Sequence, residues 1–342
     1  MPEQQAEKLR GRGVAHGLRI IAGLVLLVAG SAMGQQRYQL EDDQWLQQTH
    51  VDPDSPAGQI QTIRKALAED RPHQAKKLTT QWLKEHRDHP LSVEAYLLRG
   101  DAQLARGHDY KALDDYEYVI RQYPAAEQFH TAVQREYQIA ELYAGGLKRR
   151  LLGLRILPAG GEAEQLFILI QERAPGTEMG EKASLALGDY YFKRREFDSA
   201  ADAYDLFLTN YPRSDRRQQA MLRLIQSDLG QFRGPRYDPT GLLQAAEHLR
   251  RYRLQFPAAA EQLGADKMLA DIEQSLALKQ LNSARWYERR RKRISAVYLY
   301  KRVIKDHPTT AAAQSALERL TALGELDRPP VEHSAASEGS SP

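Results

Sequence analysis

The sequence predicts an all-α protein, a superhelical array of about six helix pairs closed by a capping helix. Three observations predict it. Six prolines, Pro90, Pro124, Pro175, Pro212, Pro257 and Pro308, each follow a helix-length segment, and a proline ends a helix because it drives the preceding residue to extended backbone. Twelve residues before these prolines stand Leu78, Ala112, Ala163, Ala200, Ala245 and Ala296, and eight before stand Trp82, Tyr116, Phe167, Tyr204, Leu249 and Tyr300. The two positions are four apart and share one helix face, where a small residue admits a neighbouring helix and a large one fills the groove beside it. Finally, β-branched residues are sparse, and no segment reads as an alternating strand bounded by turns.

Taken in order, residues 1–34 carry Lys8, Arg10, Arg12 and Arg19, then the apolar run IIAGLVLLVAG at 20–30 and the small-residue site Ala32-Met33-Gly34. An 11-residue run is short of the ~20 apolar residues that span a bilayer, so the segment is expected to be a secretory signal with mature chain from Gln35. With no cysteine in 342 residues, a lipid-bearing thioether at Gln35 is excluded, as are disulfides, thiolate metal sites and cysteine nucleophiles. Residues 35–55 are expected to form an extended polar leader, 56–326 the repeat array and 327–342 a disordered tail.

Within the array, a small residue also stands 24 before the proline in four units, at Ala66, Gly100, Gly188 and Ala284, where a first helix lets the second approach. Pro90 and Pro124 are 34 apart, but the later separations are 51, 37, 45 and 51, so three units are stretched. Residues 145–161 (GGLKRRLLGLRILPAGG) and 231–241 (QFRGPRYDPTG) hold the turn formers. The first of these, with Lys148, Arg149, Arg150 and Arg155 among leucines, suits a surface-lying segment or a buried helical extension. The last unit contains no such break and is expected to have longer helices, followed by a capping helix at 309–326.

Forty-eight cations against 45 anions leave a formal charge of +3, too balanced for a general phosphate-binding role, so nucleic acid is not expected as a partner. Phosphate loops, metalloprotease helices and nucleophile elbows are absent from the sequence, so no catalytic, cofactor-binding or metal-binding residues are expected. His86 and His89 are three apart but adjoin the helix-ending Pro90 without a third ligand in sequence. The strongest local charge is RWYERRRKR at 285–293, in which Arg285, Arg289, Arg290, Arg291, Lys292 and Arg293 outweigh Glu288. As a helix end it fits a solvated terminus that complements the helix dipole. It also fits a docking patch for an acidic partner surface or anionic head groups, with Trp286 and Tyr287 as apolar anchors. Arg233, Arg236 and Tyr237 occupy a Gly-Pro loop suited to presentation or to turn-making. Tyr96, Gln103, Tyr137 and Tyr190, first-helix residues outside the packing register, are the expected lining of a concave groove.

The segment ending at Pro212 resembles the tetratricopeptide pattern at Gly188, Tyr191, Ala200, Tyr204 and Pro212. Over residues 56–326 the chain resembles the BamD family of periplasmic tetratricopeptide lipoproteins. The resemblance is carried by EKASLALGDYYFKRREFDSAADAYDLFLTNYPRS (181–214), RYDPTGLLQAAEHLRRYRLQFP (236–257) and NSARWYERRRKRISAVYLYKRVIKDHPTT (282–310). It implies a non-enzymatic scaffold of outer-membrane β-barrel assembly at the inner face of the outer membrane. The implied partners are a barrel insertase, other assembly subunits and unfolded barrel precursors, whose aromatic-ended strands would enter the groove. Where the family often carries Asn-Arg in its last repeat, this chain has Tyr298-Leu299. The alternative is another exported repeat adaptor, in cell-wall synthesis or envelope constriction. Peripheral membrane association is compatible with either reading.

Overall fold

A computed structural model describes residues 37–41, 44–48, 52–151 and 154–325. The expected signal segment and tail lie outside the described residues. The chain divides into two units between Asp52 and Pro53.

In the first unit, β1 (Arg37–Glu41) pairs antiparallel with β2 (Gln44–Gln48), Arg37 opposite Gln48 and Glu41 opposite Gln44. The leader is therefore a hairpin and not merely extended chain. The sequence RYQLE does alternate polar and apolar residues, the period of a strand.

The second unit is the array. Its six pairs are α1 (Pro56–Ala68) with α2 (Pro72–Glu85), α3 (Ser92–Ala105) with α4 (Asp109–Gln122), α5 (Gln128–Ala144) with α6 (Gly160–Arg173), α7 (Glu178–Lys193) with α8 (Phe197–Asn210), α9 (Arg217–Gln231) with α10 (Thr240–Gln255), and α12 (Ala265–Arg289) with α13 (Arg293–Asp306). The short α11 (Pro257–Leu263) precedes the last pair, and α14 (Ala311–Leu323) caps the array. Each helix packs on the next, and α1, α3, α5 and α7 also touch in succession, which puts first helices on the inner side of the superhelix. Among its described residues, then, this second unit is a tetratricopeptide-like α-superhelix with one small hairpin of its own.

The proline signal works as physics requires. Pro124, Pro175, Pro212, Pro257 and Pro308 each stand two residues past the end of a second helix, behind one extended-leaning residue such as Tyr123 or Tyr211. The turn within a pair needs one left-handed residue. Gly107 supplies it freely at φ 70°, while Asp70, Arg195 and Arg291 adopt it at 52°, 62° and 55°. Side-chain caps from Ser55, Thr177 and Thr310 start α1, α7 and α14.

The packing register is buried. Ala112, Ala200, Ala245 and Ala296 have no exposed surface, nor have Tyr116, Tyr204, Leu249 and Tyr300. Gly100 and Gly188 lie against the second-helix rings, since an added Cβ would stand 2.4 Å from Tyr116 and 2.6 Å from Tyr204. Leu78 departs from the rule, being half-buried, while Ala75 and Thr79 take the buried positions of that helix. Ala200→Leu is expected to overpack the α7–α8 contact and cost about 1–3 kcal/mol in chemical denaturation. A loss below about 0.3 kcal/mol would mean the site can expand without strain.

Two expectations need correction. The insertion at 145–161 is no helical extension: β3 (Arg149–Leu151) and β4 (Leu154–Leu157) form an antiparallel hairpin with an irregular register at Arg149/Arg150. Its alternation is inverted, with Leu154 and Ile156 exposed and Arg155 turned inward, so the pattern does not read as a core strand. In the last unit α12 is long, at 25 residues, but Gly264 at φ 71° separates it from α11.

Candidate functional site

The inner face carries a recurring polar unit. Asp101, next to Gly100 on α3, accepts from Tyr116 Oη of α4 at 2.8 Å and from Arg135 Nε of α5 at 2.8 Å. Two repeat pairs on, Asp189 next to Gly188 accepts from Tyr204 Oη at 2.6 Å. Arg223 stands 34 residues beyond it, as Arg135 does beyond Asp101, and lies over Phe192 at 4.7 Å. Both arginines also donate to the glutamine three residues on, Gln138 and Gln226. Near the carboxy-terminal end Glu288 of α12 takes Tyr300 Oη at 2.6 Å and Arg319 of α14, and these hydrogen bonds hold its carboxyl below the usual range. Burial and these carboxylates push Tyr116 and Tyr204 upward and Tyr300 up to about 12, so the phenols stay protonated donors. The sequence reading treated these tyrosines only as packing residues. An acidic residue directly after the small first-helix position, Asp101 after Gly100 and Asp189 after Gly188, was the available signal.

Between α5, α6, α7 and α9 lies a cavity of about 360 Å³ lined by Tyr137, Glu141, Phe167, Asp189, Tyr190 and Arg216, among others. Two of the four expected groove residues meet there. Tyr137 donates to Glu141 at 3.1 Å, and Tyr190 lies under Arg194 at 5.2 Å with 6% of its surface exposed. The structure does not bring the other two to this cavity. Tyr96 stacks on Tyr118 of α4 at 4.0 Å, and Gln103, 7% exposed, is buried and accepts from Arg106 at 3.2 Å. Both face their own pair's second helix or turn instead of open groove.

A buried carboxyl, Glu136, and a half-buried one, Glu117, share an arginine that sequence did not single out. Arg173 of α6 reaches Glu117 of α4 at 2.7 Å and Glu136 of α5 at 3.0 Å. Burial of Glu136, opposed by Arg173 and reinforced by the neighbouring Glu117, pushes its carboxyl up to about 8 from 4.5. Folded protein thus keeps this proton where unfolded chain has lost it. The group favours folding fully below about 4.5, and that contribution is lost as pH rises through about 8. Glu136→Gln is expected to flatten the fall in stability across this window, read from melts at several pH values. Identical slopes for both proteins would mean that Glu136 does not hold its proton across this window.

The basic segment at 285–293 forms the end of α12 and its turn into α13. Arg285, Arg289, Arg290, Arg291 and Lys292 are exposed, and none of these five has an ion-pair partner among the described residues. Arg293 differs, pairing with Glu325 at 3.0 Å and donating to the Leu323 carbonyl. Arg290 lies over the Trp286 ring at 4.8 Å, and Trp286 meets Tyr287 edge-on. On α13, Ile294 is 81% and Tyr298 64% exposed, one helical turn apart. The structure therefore adds Ile294 and Tyr298 to the expected cluster and ties Arg293 to the capping helix.

Other singled-out residues have local roles. His86 and His89 pack around the Trp82 ring, and His89 Nδ1 accepts from the Leu91 amide at 3.0 Å. Among the described residues there is no group of three or more potential metal ligands. Arg233 and Tyr237 line a cavity of about 500 Å³ with Asp198, Asp202 and Asp238. Among the described residues no helix is long and apolar enough to cross a membrane.

Residues 160–326 match the YfiO family, described as outer membrane lipoprotein. The outer membrane protein assembly factor BamD of Caulobacter vibrioides is 25% identical over 190 residues, 56% of this chain and 61% of that protein. The match thus spans about three fifths of that curated relative. Among solved structures, the C-terminal part of a TPR repeat-containing protein from Cytophaga hutchinsonii is 14% identical with a TM-score of 0.39, covering 77% of this chain and 88% of that one. A tetratricopeptide repeat protein from Parabacteroides merdae is 14% identical with a TM-score of 0.36, covering 79% and 87%. The chain is thus BamD-like, and the YfiO match covers its stretch from α6 through α14.

Proposed function

We propose that this BamD-like chain is a non-enzymatic scaffold of outer-membrane β-barrel protein assembly, exported and working at the periplasmic face of the outer membrane. The observation that carries the reading is the family match over 160–326. It runs from α6 to α14 and includes the exposed basic and aromatic end. In this reading Arg285, Arg289, Arg290, Arg291 and Lys292 meet an acidic surface of the barrel insertase, with Trp286, Ile294 and Tyr298 as apolar anchors. The α5–α7 cavity, with Tyr137 and Tyr190, receives an unfolded precursor segment. Function here is recognition, and the Arg135–Asp101 bond ties the successive first helices α3 and α5 together.

With no cysteine among its 342 residues, this chain has no side chain to carry a thioether-linked lipid. Affinity capture of the tagged full-length chain from detergent-solubilised envelope tests the proposal. Recovery of a barrel insertase in stoichiometric yield is expected. Recovery of cell-wall synthesis or constriction proteins in its place would overturn it.

A further inference from the structure

We infer that in the free protein the acidic segment 327–342 lies on the basic turn between α12 and α13 and covers it until a partner takes its place. The inference deepens the docking reading given above and rests on it for what displaces the segment.

The turn is unpartnered in two ways. Arg289, Arg290, Arg291 and Lys292 are consecutive and exposed, and none has an ion-pair partner among the described residues. The one acid of the segment, Glu288, is turned away from them to Tyr300 Oη and Arg319. Directly after the turn, α13 presents Ile294 and Tyr298 to solvent, one helical turn apart. Cations beside exposed apolar side chains suit a segment that carries acids and apolar residues together.

The chain delivers such a segment to this place. Helix α14 stops at Gly324, and the buried Glu325 that follows pairs with Arg293 at 3.0 Å, while Arg293 also donates to the Leu323 carbonyl. Arg293 stands between Lys292 and Ile294, so whatever follows Glu325 starts between the cations and the apolar face. Residues 326–342 lie outside the described residues, and their sequence is LDRPPVEHSAASEGSSP. Asp327, Glu332 and Glu338 outweigh Arg328, and Leu326, Pro329, Pro330 and Val331 are apolar. The composition is the complement of the turn in both respects.

Reach and tethering favour this occupant over a separate one. A proline-containing stretch such as 326–332 can extend over roughly 20 Å, whereas Ile294 to Tyr298 advances only about 6 Å along α13. A segment tied this close meets its surface at an effective concentration of about 1 mM or more. A contact too weak to hold a free peptide is then largely formed. An acidic partner docks by displacing the segment, and the bare cations would attract it faster.

The full-length protein has no cysteine, so Ser334→Cys carries a single nitroxide, and isotope-labelled isoleucine methyls report proximity to it. The Ile294 methyl, identified through Ile294→Val, is expected to broaden strongly. Ile168 on α6, also exposed, is expected to stay sharp. Adding Arg290→Glu with Arg291→Glu is expected to reduce the Ile294 broadening several-fold. Equal broadening in the charge-reversed protein would overturn the inference, since the tether alone would then account for it. So would broadening of the same size in untagged labelled chains mixed with tagged ones, which would make the occupant a second copy's segment. Removing residues 327–342 is expected to speed association with the captured insertase several-fold at low salt. An unchanged rate would overturn the competition. If neither form binds an insertase, the docking reading fails, and the methyl result still decides whether the turn is covered.

Discussion

Replacing Tyr204 with alanine is expected to cost about 3–5 kcal/mol, a large share of the stability of an ordinary domain. The ring has no exposed surface and stands against Gly188, where a Cβ would come within 2.6 Å of it. Removing it opens a cavity that the backbone of α7 cannot fill. Its hydroxyl also leaves Asp189 without a 2.6 Å donor. Tyr204→Phe separates the two effects and should cost about 1 kcal/mol, the value of a hydrogen bond to a partly solvated carboxylate. Urea denaturation measures both. A loss under about 1 kcal/mol for the alanine variant would mean that the small-large register does not hold the helix pairs together.

The largest effect on binding is expected from Arg290→Glu combined with Arg291→Glu. Both side chains are exposed, so folding should be nearly intact, with only the contact of Arg290 over Trp286 lost, about 0.5–1 kcal/mol. Reversing two charges opposite an acidic surface should slow association by about tenfold or more at low salt. The salt dependence that remains should weaken as well, since fewer attractive charges are left to screen. Binding of the captured insertase that is unchanged over a range of ionic strength, with the variant folded, would return this cluster to solvated surface.

The repeat architecture was legible because its signals are repeated consequences of packing. Five of the six second helices, all but α2, have a small residue where they cross their partner, a large one a turn later and a proline two residues past their end. The hairpins were not legible, for different reasons. At 37–41 the alternation was present but short. At 154–157 it was inverted, since Arg155 is the inward residue and its partner Asp109 is 46 residues away. Of the groove candidates, Tyr137 and Tyr190 converge on one cavity across two repeats, while Gln103 is drawn into the turn beside Arg106. Glu136 escaped notice because a buried carboxyl is defined by Arg173 and Glu117 from other helices, which no local pattern announces. The basic cluster was plain as composition, but Ile294 and Tyr298 gain meaning only from their exposure beside it.

Depleting the protein from cells and following folded, heat-modifiable barrels in the outer membrane tests the assembly role most directly. Folded barrel content is expected to fall as the protein is lost, with unfolded precursors accumulating in the periplasm, and re-expression of the wild-type chain should restore it. Barrel content that stays constant through depletion, while wall synthesis or septation fails, would contradict the account.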